Sequence, residues 1–280
     1  MTDSARFPAD TSDIEAILAR RHDNGADYWA TPDGRISKGS LFTTLDCAVM
    51  LAELGMDPRG SVLSETAALI FSSQRKDGRF RISPQGAIYP CHTINATRAL
   101  CHLGHAADPR LSAAFDHLWQ TPYDDGGWRC RKFSYGRGPE TNASNPGPTL
   151  AALDAFRLAG DTARAEGLHA AVEFLLAHWT TRAPLGPCHF GIGSLFLQVS
   201  YPFASYNLFF YVHTLSFYAT ARKDPRFLEE LAALEATMVD GRVVVQRSHP
   251  KLAGLNFCRP GEPSTAATAR YLEIRRNLDS

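Results

Sequence analysis

The sequence predicts an all-α domain of α/α toroid type, a closed ring of about five helical hairpins, on three observations. A helix–glycine–Asp-Pro-Arg–helix signature recurs along the chain. An Asp-Gly turn follows the second helix of most units. The two ends carry complementary halves of a further unit.

The first signature appears as Leu54-Gly55-Met56-Asp57-Pro58-Arg59 and returns as Leu103-Gly104 followed by Asp108-Pro109-Arg110. It is degenerate at Ala159-Gly160-Asp161-Thr162-Ala163-Arg164 and recurs as Asp224-Pro225-Arg226. Counted from Asp57 to Asp108, Asp161 and Asp224, the steps are 51, 53 and 63 residues. Glycine accepts the left-handed backbone that closes a helix. Asp caps the next helix, and Pro in its first turn loses no needed N–H. Each signature is therefore the bend of a hairpin. The second punctuation reads Lys76-Asp77-Gly78-Arg79-Phe80, Asp125-Gly126-Gly127-Trp128 and Val239-Asp240-Gly241-Arg242, with an earlier copy at Pro32-Asp33-Gly34-Arg35. Asp-Gly is a tight-turn signal.

These marks place first helices at about 40–54, 92–103, 148–159, 205–221 and 264–278, and partners at about 61–74, 110–120, 162–179, 225–238 and 11–22. Ser264–Leu278 is a first helix with no partner after it; Thr11–His22 is a second helix with no partner before it. Together they complete one unit, so the array is expected to close through its ends, residues 11–280 forming one domain behind a disordered tail, Met1–Asp10. The alternative is an open superhelix, whose repeats are shorter, roughly 34–47 residues, and capped.

Apolar residues make up 44% of the chain and charged residues 21%, enough for a sizeable core. Lys+Arg and Asp+Glu balance at 29 each, so nothing suggests a nucleic-acid partner. Phe190–Ala221, the most apolar stretch, is interrupted by Gln198, Pro202, Asn207 and His213 and reads as core, not a membrane span. Met1–Asp10 has no apolar signal-peptide segment, so the six cysteines are expected to be reduced thiols in a cytoplasm. The oligomeric state has no sequence signature.

Gln74-Arg75-Lys76-Asp77-Gly78-Arg79-Phe80, and Gln120 followed by Asp125-Gly126-Gly127-Trp128, resemble the Q…DG…W repeats of the terpene cyclase and protein prenyltransferase β-subunit superfamily. The resemblance implies inner helices around a central cavity, with outer helices around them. Tyr89-Pro90-Cys91-His92-Thr93 resembles the segment with which protein prenyltransferases present a zinc-binding histidine, a role that falls on His92. The family's Asp-x-Cys ligand pair is missing at Asn145–Thr149 and Ser205–Asn207, and no Asp-x-Asp-Asp acid motif of the cyclases is present. A more distant likeness, in the paired Cys-His steps, is to lanthionine cyclases, zinc-containing toroids.

Four cysteines sit in loops that lead from a turn into the next inner helix: Cys91 beside His92, Cys130, Cys188 beside His189, and Cys258; Cys47 and Cys101 read as core. In a ring these loops converge on one rim. His92, Cys130, Cys188 and His189 could then supply the three or four S/N ligands of zinc, with His92, Cys130 and His189 also placed for catalysis. Neighbouring residues entering a helix point about 100° apart, so Cys91 and His92 do not both face one ion, and His92 is taken as the ligand. The alternative is four thiols packed under loops. The same rim carries arginines, of which Arg81, Arg131 and Arg247 are expected to hold an anionic group, aided by inner-helix N-termini. Tyr206, Phe210 and Trp128 are expected to line an apolar cavity, against the alternative that such aromatics are plain core. The functional expectation is an enzyme for an isoprenoid-like or other apolar substrate with an anionic head. The rival readings are a zinc-dependent peptide-modifying enzyme, a carbohydrate-active toroid, and a non-catalytic protein binding a small molecule or peptide.

Overall fold

The structure, a computed structural model, describes residues 11–39, 41–160 and 167–279. The expected tail Met1–Asp10 and the degenerate signature Asp161–Arg164 lie outside them. The helices are α1 (Thr11–Ala19), α2 (Thr44–Glu53), α3 (Ser61–Ser72), α4 (Pro90–His102), α5 (Pro109–Gln120), α6 (Pro146–Ala159), α7 (His169–Thr181), α8 (Ser194–Leu197), α9 (Leu208–Leu215), α10 (Ala219–Arg222), α11 (Pro225–Glu235) and α12 (Thr265–Leu278). β-pairing among the described residues is limited to isolated bridges, such as Gln74–Phe80 across an Asp-Gly turn.

The hairpin bends do what their chemistry requires. Asp108 and Asp224 cap α5 and α11, accepting the N–H groups of Arg110 and Arg226 at 2.9 Å each, with Pro first in each helix. The arginine of each signature folds back onto its aspartate: Arg110 Nη2 lies 2.6 Å from Asp108 Oδ2, and Arg226 Nη2 2.7 Å from Asp224 Oδ2. At the first copy the helix begins later, with Gly60 at the cap, and Asp57 closes the turn through the Arg59 N–H at 3.1 Å.

The second punctuation ties each hairpin to the next. Gly78 sits at φ +81°, and a Cβ there would lie 2.1 Å from the Ala113 carbonyl oxygen of α5. The Gln74 side chain donates to Arg110 O at 2.7 Å, at the start of the same helix. The Gln…Asp-Gly pattern thus fastens one turn to the neighbouring outer helix. Trp128 closes the next copy from inside: it is buried, donates its indole N–H to Leu118 O at 3.1 Å, and stacks on Phe156.

Inner helices α2, α4, α6, α9 and α12 pack side by side in that order, with α3, α5, α7, α11 and α1 outside them. Residues at or just beyond the C-terminal ends of all five inner helices (Glu53, His102, Leu158, Phe217, Asn277) surround one hollow, as only a closed ring allows. α1 meets the turns before α12: Asp13 accepts the backbone N–H groups of Asn256 and Phe257 at 2.8 and 2.7 Å. Cys258 belongs to this closure, its sulfur 3.7 Å from Leu252 O. Cys47 and Cys101 are core. The fourth inner helix is shorter than the expected 205–221. Asn207 caps it through Phe209 N and Phe210 N, and it ends at Leu215, before the separate turn α10.

The middle of the ring holds an ionic layer that patterning does not announce. Asp154, fully buried, accepts from Arg98 Nε at 2.5 Å and Arg157 Nε at 2.6 Å, and lies 3.0 Å from His102 Nε2. Burial alone would raise the Asp154 carboxyl, but Arg157 and Arg98, with His102, outweigh it and hold it well below the usual carboxylate range.

Candidate functional site

Where α4 and α6 begin, the ring opens into a cavity of about 360 Å³. Its wall is aromatic: Phe133, Phe190, Phe203, Tyr206 and Phe210. Arg98 rises into it from the ionic layer, its guanidinium 4.7 Å from the Phe210 ring centroid and its Nη2 buried without a hydrogen-bond partner. Lys132 lines the opening and lies 5.5 Å from the Phe133 ring. Three thiols also line it: Cys91 in the first turn of α4, and Cys130 and Cys188 in loops.

The α4 N-terminus acts directly on Cys130. Pro90 occupies the first helical position and has no N–H, so the Cys91 amide is an early unsatisfied donor of the helix. The Cys91 thiol, then the backbone N–H groups of Cys91 and Lys132 and the Lys132 charge, outweigh burial and lower the Cys130 thiol to about 6. The Cys91 thiol is correspondingly pushed up, first by its bond to Cys130 and then by burial. Within this pair Cys130 is the thiol that its neighbours favour as the anion, and Cys91 the one that keeps its proton. Asn145 holds the loop in place, its Oδ1 accepting Cys130 N at 2.5 Å. Cys188 donates to the carbonyl oxygens of Cys130 and Phe133 at 3.3 and 3.4 Å, and burial raises its thiol.

The structure therefore brings together Cys130, Cys188, Tyr206 and Phe210 of the expected residues, and adds Cys91, Lys132 and Arg98. Cys91 and His92 do diverge, but the cysteine faces the cavity. His92 accepts Tyr89 N–H at 3.5 Å through Nδ1, and burial, then the Lys132 charge, lowers it to about 4, so it is neutral near pH 7. His189 is exposed, in a left-handed backbone conformation (φ 61°), and does not line the cavity. Among the described residues no group of three or more His, Cys, Asp or Glu side chains is disposed to hold a metal ion. The thiols meet as hydrogen-bonded partners, and Cys188 turns to two carbonyls. The expected ligand set does not fit zinc, and no step below runs through one.

Trp128 is a correction: its indole braces the wall between α5 and α6 and lines none of the hollows described. The basic rim is also dispersed. Arg81 donates to Pro84 O at 3.3 Å, Arg131 is exposed outside the cavity, and Arg247 lines a neighbouring hollow of about 360 Å³ across the Pro202–Ala204 segment. The cation at the opening is Lys132, next to the expected Arg131. Sequence reasoning missed Arg98, which gives no local signal: it stands in Ile94-Asn95-Ala96-Thr97-Arg98-Ala99-Leu100, a run of mixed polar and apolar residues.

No protein-family model matches the chain, and no curated protein matches it. Among solved structures, a polysaccharide lyase aligns over 98% of this chain and 86% of its own, with a TM-score of 0.54 and 13% identity. A type II terpene cyclase from Scytonema, in complex with merosterolic acid A, aligns over 96% of this chain and 79% of its own, with a TM-score of 0.46 and 14% identity. At such an identity the first likeness is one of fold alone, the α/α toroid. No helix among the described residues is long and apolar enough to cross a membrane.

Proposed function

We propose that the protein is an enzyme acting on a small molecule with an apolar, isoprenoid-like body and an anionic head, and that Cys130 is its nucleophile. The single observation that carries this reading is the placement of the Cys130 thiol, which its neighbours favour in the ionised form, with Lys132 on an aromatic-walled cavity. A cavity of about 360 Å³ is at the small end of the range for ligand sites. Its rings suit a hydrocarbon body, and Lys132 and the α4 and α6 N-termini suit an anionic head at the opening. In the step proposed, the Cys130 lone pair forms a C–S bond to the carbon bearing the head group. The C–O bond breaks, and its electron pair leaves with the head group, whose charge Lys132 meets. The Arg98 Nη2 offers a donor to any acceptor at the inner end of the substrate. That the fold is shared with a polysaccharide lyase is compatible with an enzymatic role and does not choose the substrate.

The test is incubation with geranyl diphosphate, followed by intact-mass measurement and assay of released diphosphate. A prenyl adduct on Cys130, absent in Cys130→Ser, supports the reading. Saturable binding with neither adduct nor diphosphate would replace it with that of a non-catalytic binding protein.

A further inference from the structure

Beside the thiol cavity, between α2 and α4, lies a small hollow of about 80 Å³. Asn95, Arg98, Phe203 and Ala204 line both spaces, so the hollow adjoins the cavity along α4. Cys91, Asn95 and Arg98 follow helical spacing on one face of α4, and all three line the cavity. From Cys91 to Arg98 the helix rises about 10 Å, so the thiol marks the opening and the guanidinium the inner end of this stripe. Asn95 stands between them, flanked by the buried Ile94 and Ala96, yet its own side chain is exposed to the hollow. Among the described residues that side chain makes no hydrogen bond.

The charges here are already matched. Arg98 is balanced by Asp154, and Asp46, which faces the hollow from α2, has one oxygen on the Thr43 hydroxyl at 2.6 Å. What stays open is hydrogen-bonding capacity. The Asn95 amide both donates and accepts, and Arg98 Nη2, buried without a partner, donates. A hydrocarbon end pressed against these groups would strip their water and return no bond. A hydroxyl answers both: its oxygen accepts from Asn95 Nδ2 or Arg98, and its proton goes to Asn95 Oδ1. The size of the hollow suits one such group.

We infer that the ligand of the thiol cavity is an oxygenated isoprenoid-like molecule, with a hydroxyl at the end remote from its anionic head, and that Asn95 is the residue that selects it. This rests on the isoprenoid-like body proposed above, but not on Cys130 as a nucleophile. The head stays at Lys132 and the hydroxyl lies on Asn95 and Arg98. Their separation along α4 is about the reach of an extended geranyl chain.

The experiment is calorimetric titration of the full chain with geranylphosphonate and 8-hydroxygeranylphosphonate, whose head groups cannot leave. The hydroxylated ligand is expected to bind about tenfold more tightly, the worth of one or two hydrogen bonds. Asn95→Leu should erase that preference and leave the binding of geranylphosphonate as it was. Asn95→Ala carries the same comparison if melting curves show that Asn95→Leu fails to fold. Equal affinities for the two ligands, as a hollow holding water alone would give, overturn the inference and leave the isoprenoid-like reading standing. So does a preference that survives the substitution. Binding of neither ligand overturns both.

Discussion

At the scale of single residues, function and stability rest on how few groups in the ring are left to ionise alone. Asp154 is the clearest case. Its Oδ atoms hold two guanidinium groups inside the ring, so Asp154→Asn leaves both buried and unbalanced and should cost about 3–5 kcal/mol in denaturant unfolding. The pH dependence has a definite sign. The folded carboxyl is held below its unfolded value, about 3.9. Its contribution is therefore fully present above that pH and is lost as pH falls toward the folded pKa. Melting temperatures from pH 7 to pH 3 should fall more steeply for the native chain than for Asp154→Asn; parallel curves would remove Asp154 as the cause. At Cys130, Lys132→Ala withdraws a positive charge and a neighbour of the thiolate, so the pH at which the thiol becomes reactive should move upward, by about one unit or less for a single charge at an opening. Neither group was equally visible in the sequence. Cys130 stood out as a thiol in a rim loop, but nothing local singles out Asp154 or Arg98, which meet across 56 residues of chain.

At the scale of elements, the punctuation was legible because its chemistry is local. Gly at a helix end, Asp as cap and Pro in the first turn act within a few residues, and α5 and α11 begin where those rules put them. Local rules cannot say what a turn touches. Gly78 and Gly104 both have left-handed backbones, at φ +81° and +82°, yet a Cβ at Gly104 meets nothing within 4 Å while one at Gly78 meets the α5 backbone. Gly104→Ala should therefore cost only the backbone term, about 1–2 kcal/mol. Gly78→Ala should cost about 1–3 kcal/mol more, because the contacted atoms are main chain and cannot turn aside. Equal losses in chemical denaturation would mean that the turn does not fasten to the next outer helix. Trp128 illustrates the same limit: an aromatic after an Asp-Gly turn was read as cavity lining, but its indole N–H finds a carbonyl on α5 and fixes the ring inside the wall.

At the scale of the whole molecule, closure makes the site. The complementary end helices announced a ring, and Asp13 joins it by accepting two backbone N–H groups of the turn before α12. Asp13→Ala should weaken the fold by about 1.5–3 kcal/mol, and amide exchange should rise first in α1 and residues 249–258. Exchange that rises uniformly would place the closure elsewhere. What the repeat pattern could not show was the identity of the groups that meet at the opening, since three hairpins contribute one thiol each and a one-residue turn of α4 decides between Cys91 and His92. The proposed function requires this convergence to make Cys130 readily ionised at the wall of a ligand cavity. Its most direct test is the rate of iodoacetamide alkylation at each cysteine, resolved by mass spectrometry from pH 5 to pH 9. Cys130 is expected to react with a midpoint near pH 6, Cys91 and Cys188 to stay slow across that range, and geranyl diphosphate to slow the reaction. A Cys130 midpoint at the ordinary thiol value of about 8.5, unaffected by geranyl diphosphate, would contradict it.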